Sequence, residues 1–511
     1  MRSSLTNKLI IMKASFKITL LVFIALFTFQ SCEDNDDVAP PANIEVNDFV
    51  WKGLNLYYLW QADVPNLADS RFANQAALNN FLKGYTKPED LFDALRVNAK
   101  IDRFSWIVSD YLELEGQLQG TTKNDGMNFV LHYKSANSND IFGFVSYIIP
   151  NSDASIKDLK RGDIFYGVNG IQLTDKNYQD LLLNSENYTI NLADYNNRAI
   201  TPNGKSVSLT KTVLTENPIL INKVIESGGH KIGYLMYNGF YSTYDTQLND
   251  AFATLKSEGV TDLVLDLRYN SGGSVLSSAR LASMITGQFT DKIFAKQRWN
   301  DKINDYFESE DPDALKNLFT NKVGSSPLNS LNLTKVYILT TESTASASEL
   351  VINGLKPYID VVQIGDVTTG KNVGSITIYD SPTFGKENRN PSHRYAMQPI
   401  VFKTVNAADF GDYFNGLTPA KGNLLPEDIN NLGVLGNSET KMIDNKETLI
   451  SNDPLLDLAF AKITGRPTGI TTKKKKSVPQ IQFNYLGDSK SITNQNQMYI
   501  DKVPAGLLKS L

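Results

Sequence analysis

Two side chains in the middle of this chain have the types and spacing for nucleophilic catalysis. Ser346 lies in Glu342-Ser-Thr-Ala-Ser346-Ala-Ser-Glu349, and Lys371 follows 25 positions later at the end of Gly365-Asp-Val-Thr-Thr-Gly-Lys371. A serine hydroxyl attacks a carbonyl effectively only when a neighbouring base removes its proton. Histidine is the usual base, yet the chain has three, His132, His230 and His393, and none lies in the turns that carry Ser346 and Lys371. A lysine can serve if its pKa falls from about 10.4 to roughly 7 or 8, a shift of about 4 kcal/mol that burial in a dry pocket imposes. Ile364, Val367 and Val373 offer apolar walls for such a pocket. Ser346 and Glu349 also fit the Ser-x-x-Glu pattern of a capping box, a purely structural role. In the catalytic reading, the N–H of Ala347 at the same helix start can bind a developing oxyanion. A third segment, Arg268-Tyr-Asn-Ser-Gly272-Gly273-Ser274, brings paired glycines whose N–H groups can approach a ligand closely. Taken alone, it is an ordinary tight turn.

Each of these segments follows a short apolar run. Candidate strands at Ile232–Met236, Leu263–Leu267, Val336–Thr340 and Val361–Ile364 alternate with candidate helices at Asp245–Glu258, Ser274–Ile285 and Ser346–Leu355. That alternation predicts an α/β core with a mainly parallel sheet. Catalytic groups gather at the carboxyl edge of such sheets, and a right-handed crossover returns the chain to that edge after each helix. The hydroxyl of Ser346 and the amine of Lys371 are therefore predicted to meet.

The length exceeds what one core organises, so several units are expected. Phe49, Trp51, Leu54, Tyr57, Tyr58 and Trp60 recur at helical spacing, with further helical patterns at Asn74–Leu82 and Pro88–Leu95, which predicts a helical domain over 45–115. Residues 116–215 turn to short strands. Leu159-Lys-Arg-Gly-Asp163-Ile and Val168-Asn-Gly-Ile-Gln-Leu resemble the core of a PDZ domain, and Gly126, Met127, Asn128 and Phe129 resemble its loop for a peptide carboxylate. A catalytic domain is expected over 216–425, followed by a helical segment and tail over 426–511. The expected fold is thus multidomain α/β: an N-terminal helical domain, a PDZ-like β domain and the mainly parallel catalytic core.

The amino terminus has Lys13 and Lys17 before the apolar run Ile18 to Phe29, which predicts a signal peptide over 1–31. As a helix that run covers roughly 18 Å, too short for a hydrocarbon core of about 30 Å. Phe-Gln-Ser-Cys32 resembles a bacterial lipobox, which implies a lipid anchor at Cys32, the single cysteine, and an acidic tether over 32–44. An outer-membrane lipoprotein of a Gram-negative cell envelope, facing the periplasm or the surface, is the location this implies. Residues 1–31 hold four cations and no acid, so without them the net charge goes from −5 to −9, which argues against nucleic acid as a partner. The run Lys473 to Lys476 reads as a solvated loop. No cofactor and no metal are expected, since neither a dinucleotide fingerprint nor a metal-spaced His/Cys cluster occurs.

Together the catalytic segments resemble the C-terminal processing peptidases, or tail-specific proteases. Thr344-Ala-Ser346-Ala-Ser-Glu349 is similar to their S-A-S-A-S-E motif, Gly365-Asp-Val-Thr-Thr-Gly-Lys371 to G-E-x-T-x-G-K, and Leu265-Asp-Leu-Arg-Tyr-Asn-Ser-Gly272-Gly273 to LDLRxNxGG. The resemblance covers roughly 117–425. It implies a serine endopeptidase with a Ser346/Lys371 dyad, oxyanion donors at Ala347 and at Gly272 or Gly273, polypeptide substrates, and capture of their carboxyl end by the PDZ-like region, expected by strand addition. Many members carry glutamine four residues after the lysine to orient it. Here that position is Ser375, so Ser375 or Glu349 is expected to do the orienting. The alternative is a catalytically inactive peptide-binding lipoprotein of the same fold. A glycan-cleaving protein would need a carboxylate pair in an aromatic cleft, and no such pair is legible.

Overall fold

A computed structural model describes residues 40–196, 199–443, 445–467, 483–495 and 497–500. The predicted signal peptide, Cys32, the tether up to residue 39 and the lysine run at 473–476 lie outside the described residues.

Three helices open the described chain: α1 (Glu45–Tyr57), α2 (Gln75–Leu82) and α3 (Pro88–Ala94). In α1, Phe49, Val50, Leu54 and Tyr57 form the buried face, as the spacing predicts. The helix stops at Tyr58, whose backbone is extended, so Trp60 lies beyond it. The Asn74 side chain caps α2 by accepting the N–H of Ala77, and Pro88 starts α3 where its missing N–H costs nothing.

The strand-rich region contains β1 (Met127–Tyr133), β2 (Ile141–Ile148), β3 (Ile164–Val168), β4 (Asn187–Asn196) and β5 (Ala199–Thr210), all paired antiparallel in one sheet. The core unit follows with β6 (Ile219–Ser227), β7 (His230–Tyr237), α4 (Asp245–Ser257), β8 (Asp262–Asp266), β9 (Gly273–Ser274), α5 (Val275–Thr286), β10 (Ile293–Trp299), β11 (Lys335–Thr340), α6 (Ala347–Leu355) and β12 (Asp360–Gly365). Its five-stranded sheet has the order β6-β7-β8-β11-β12, antiparallel at the first pairing and parallel at the other three. The apolar runs of β8 and β11 arise because both faces are covered. Leu263, Leu265, Val336 and Ile338 join one core with α4, α5 and α6, whereas Val264 and Leu339 join another.

That second core is closed by α7 (Pro454–Thr464), which brings Leu455, Leu456, Ala459 and Phe460 onto the opposite face. A second sheet is assembled from β9, β10, β13 (Val373–Ser375), β14 (Ile400–Asn406) and the late strand β16 (Met498–Tyr499). The late strand inserts between β9 and β13, parallel to both. The expectation of a helical segment and tail over 426–511 is therefore met only by α7. Strand β15 (Tyr485–Asp488) joins the first sheet, and β16 joins the second. Period-two patterning is unreadable in such short strands, so only their partners reveal them.

β15 pairs antiparallel with β1, with Tyr485 opposite His132 and Asp488 opposite Val130. The ladder continues as Ser489 N–H donates to Phe129 O at 2.9 Å. The edge of β1 at Phe129–His132 is thereby paired with the chain's own backbone, so a peptide adding as a strand there would have to displace it. What remains beside it is a cavity of about 560 Å³, lined by Met127, Asn128, Phe129, Leu182, Tyr188 and Lys211 among others. Gly126 shapes the entry to β1 at φ +89°, where a Cβ would overlap the Ser152 side chain.

Candidate active site

Ser346 is the N-cap of α6, one residue before the helix proper, and is fully buried. Its backbone stands at φ 65°, ψ −118°. A non-glycine residue there carries strain of about 1–3 kcal/mol, which surroundings must over-determine. They do: the turn is sewn to the one after β8. Asn270 O accepts the N–H of Ala345 at 3.1 Å and the hydroxyl of Ser348 at 3.0 Å, and Leu267 O accepts the Thr344 hydroxyl at 2.9 Å. Glu349 makes its half of a capping box, the Ser346 N–H donating to Glu349 Oε2 at 2.7 Å. The Oγ of Ser346 itself makes no regular hydrogen bond among the described residues.

Glu349 does more than cap. Its Oε2 also accepts the N–H of Lys371 at 2.8 Å, and its Oε1 accepts the N–H of Gly370 at 2.7 Å and the hydroxyl of Thr368. One carboxylate oxygen thus holds the main chain of Ser346 and Lys371 together. Their two nitrogens lie within about 5.5 Å of each other, the sum of those two bonds. Burial pushes the Glu349 carboxyl above its ordinary range, against the pull of the Thr368 hydroxyl and three N–H groups.

Lys371 is fully buried. Burial pushes its amine down to about 7, assisted by Arg103, while Asp102 and Glu349 favour the charged form. The amine lies 4.5 Å from the centre of the Phe104 ring, and its Nζ donates to Gln497 Oε1 at 3.2 Å. An apolar wall comes from the helical region: Arg103 Nη2 donates to Gly370 O at 2.7 Å, which seats Phe104 over the amine. Phe104, Asp102 and Gln497 were not foreseen, because all three come from segments remote in sequence from the lysine.

The glycine pair abuts the serine. A Cβ on Gly272 would stand 2.4 Å from Ser346 Cβ, and one on Gly273 would stand 2.3 Å from Phe240 O. Their φ values of +111° and +136° are also hostile to other residues. The Gly272 N–H donates to Asn270 Oδ1 at 2.9 Å, which removes it from the expected pair of oxyanion donors. Below this turn, the buried Arg268 pairs with Asp266, Glu427 and Asp453 at 2.8–3.0 Å, tying the sheet edge to the start of α7.

Ser375 lies next to the site without touching the amine in any contact seen: its Oγ donates to Met498 O at 3.2 Å. The histidines are engaged elsewhere, His230 with Asp262 at 2.7 Å and His393 with Asp380 at 2.8 Å, while His132 contacts Phe483 O at 3.3 Å.

The chain is similar to known proteins. A family model described as peptidase family S41 matches residues 231–380, and one described as the peptidase S41 N-terminal domain matches 45–106. The carboxyl-terminal-processing peptidase 1, chloroplastic, of Arabidopsis thaliana is 25% identical over 229 residues, 44% of this chain and 43% of that protein. The carboxyl-terminal-processing protease of a Picosynechococcus strain is 28% identical over 169 residues, 33% of this chain and 36% of that protein. The matches therefore span less than half the length of these relatives. A crystal structure of a Bacteroides fragilis protein assigned to the S41 proteases superposes with a TM-score of 0.60 at 26% identity, over 82% of this chain and 97% of that one.

Proposed function

The chain belongs to peptidase family S41, and from that membership we propose that it is a serine endopeptidase in which Ser346 is the nucleophile and Lys371 the general base. The observation that carries this reading is the fully buried Lys371, whose main-chain N–H shares one Glu349 oxygen with that of Ser346. At neutral pH a large share of that amine is unprotonated. It takes the Oγ proton as Oγ bonds to the scissile carbonyl carbon, and the carbonyl π pair moves onto oxygen. The N–H of Ala347, at the positive end of α6, stabilises that oxyanion together with Gly273, while Gly272 contributes the room that only a hydrogen atom leaves. Collapse breaks the C–N bond, and the Lys371 ammonium returns its proton to the leaving amine. Water then attacks the acyl ester with Lys371 again taking a proton, and as the C–Oγ bond breaks the ammonium returns it to Ser346 Oγ, releasing a carboxylic acid and free Ser346.

Because Ser346 and Lys371 are both fully buried, an incoming chain must part the cover over them, which includes Phe104. The carboxyl end of the substrate is held at the cavity beside Met127, Asn128 and Phe129, where apolar walls and Lys211 suit a chain terminus. Incubation with unstructured polypeptides tests the reading. Wild type is expected to cut them, and Ser346→Ala and Lys371→Ala to lose about a thousandfold or more. Binding without cutting by all three proteins would instead establish the inactive peptide-binding alternative.

Cys32 carries the lipid anchor in this proposal, placing the enzyme on the outer membrane of a Gram-negative envelope. Incorporation of labelled palmitate into the full chain is expected, and Cys32→Ala should abolish it. Labelling that survives the substitution would sink the anchor.

A further inference from the structure

We propose that Gln497, carried by the C-terminal strand segment, is the positioning residue that holds the amine of Lys371 in line with Ser346. The proposal rests on the reading of Lys371 as general base.

A lysine side chain has four rotatable carbons, so a base built from it needs a partner that fixes where its lone pair points. Gln497 has the chemistry for that. Its Oε1 accepts from Lys371 Nζ at 3.2 Å, and its Nε2 donates to Asn494 O at 2.9 Å. The second bond settles the orientation of the amide: a carbonyl can only accept, so the NH2 end must face Asn494, and the oxygen end is left for the amine. Both charge states of the lysine can donate to that oxygen. A neutral acceptor orients the amine without the strong preference for the ammonium that a carboxylate would add.

Gln497 is 2% exposed and sits on anchored backbone. Met498 and Tyr499 pair with β9 on one side, and Tyr499 pairs with Ser375 of β13 on the other. The Ser375 hydroxyl donates to Met498 O at 3.2 Å, the Ser271 hydroxyl to Gln495 O at 3.0 Å and the Tyr499 hydroxyl to Leu118 O at 2.7 Å. The role of Ser375 is accordingly one step removed: it helps to hold the segment that carries Gln497. A carbonyl of the same segment, Gln497 O, closes on Gly272, where an added Cβ would stand 2.7 Å from it. The strand therefore borders both the base and the glycine turn beside the nucleophile.

Three variants of the full chain test this: Gln497→Ala, Gln497→Glu, and Gln497→Ala combined with Ser375→Gln, which places an amide in the space vacated beside Met498. Expected for Gln497→Ala is a kcat lower by about tenfold to a hundredfold, with KM within about twofold. Gln497→Glu should move the acid limb of the rate profile to higher pH by about one unit or more, because a carboxylate favours the ammonium. The double variant should regain several-fold of the lost kcat. The proposal is overturned if folded Gln497→Ala keeps the kcat and the pH profile of wild type within about twofold. If wild type cleaves nothing, the peptidase reading fails by itself, and the contact is still decided by NMR titration of the Lys371 ε-carbon. Its midpoint must rise in Gln497→Glu, and an unchanged midpoint overturns the proposal.

Discussion

Lys371→Met is expected to yield a protein that is inert towards polypeptides and more stable than wild type at pH 7, by about 4 kcal/mol. Methionine fills nearly the same volume without an ionisable end, so packing under Phe104 should survive. The gain comes from the amine. In the unfolded chain its pKa is the ordinary one near 10.5, and in the fold burial pushes it down to about 7. Between those values the unfolded chain binds a proton that the folded chain lacks, so for this group stability falls as pH is lowered from about 10.5 to 7 and is level below. The variant lacks that dependence. The difference between the two proteins should therefore be near zero at pH 10.5 and full-sized at and below pH 7. Urea unfolding at both pH values measures it. A variant less stable than wild type at pH 7 would mean that the folded amine is charged and paired, and the assignment of Lys371 as base would go with it. The expected exchange of stability for activity follows from keeping a cation's nitrogen dry.

Much of this arrangement was legible before any coordinates. The strands around Leu263–Leu267, Val336–Thr340 and Val361–Ile364 and the helices between them are local patterns, and their alternation dictates which turns share a sheet edge. Ser346, Lys371 and the glycine pair were readable for that reason: each sits in a turn whose place is set by its own flanking strand. Gln497 was not, because it lies 126 residues from the lysine, just before a strand of two residues that is defined only by the neighbours it inserts between. Phe104 was hidden similarly, in a loop of the helical region that reaches the site through Arg103 and Gly370. The pairing of β15 on β1 escaped because a sequence shows that an edge can accept a strand but not that the same chain supplies one. Ser346 itself holds a lesson. The Glu349 half of its capping box is made, and the same turn places the hydroxyl beside Gly272 in a strained backbone, so the structural and the chemical readings of that serine share one arrangement.

Replacing Glu349 should have the second large effect, and it separates positioning from chemistry. The carboxylate accepts from Ser346 N–H, Lys371 N–H, Gly370 N–H and the Thr368 hydroxyl, all in a site without solvent. Glu349→Ala leaves these four donors unpaired, at about 1–3 kcal/mol each where no water enters, so the chain is expected to lose about 4 kcal/mol or more and to fold poorly. Glu349→Gln is the sharper variant because it keeps the shape. An amide offers one acceptor oxygen, so its NH2 must face either the N–H groups of Ser346 and Lys371 or the N–H of Gly370 and the hydroxyl of Thr368. Whichever way it turns, at least one buried N–H loses its acceptor. Stability should drop by about 2–3 kcal/mol and kcat by about a hundredfold, since the main-chain ties that set Ser346 and Lys371 against each other are weakened. Thermal unfolding and single-turnover cleavage of an unstructured polypeptide, both at pH 7, measure the two losses. Should Glu349→Gln lose stability while its single-turnover rate stays at the wild-type value, the shared oxygen would be a fastening of the fold alone, and the alignment of Ser346 with Lys371 would have to come from Gln497 and Phe104.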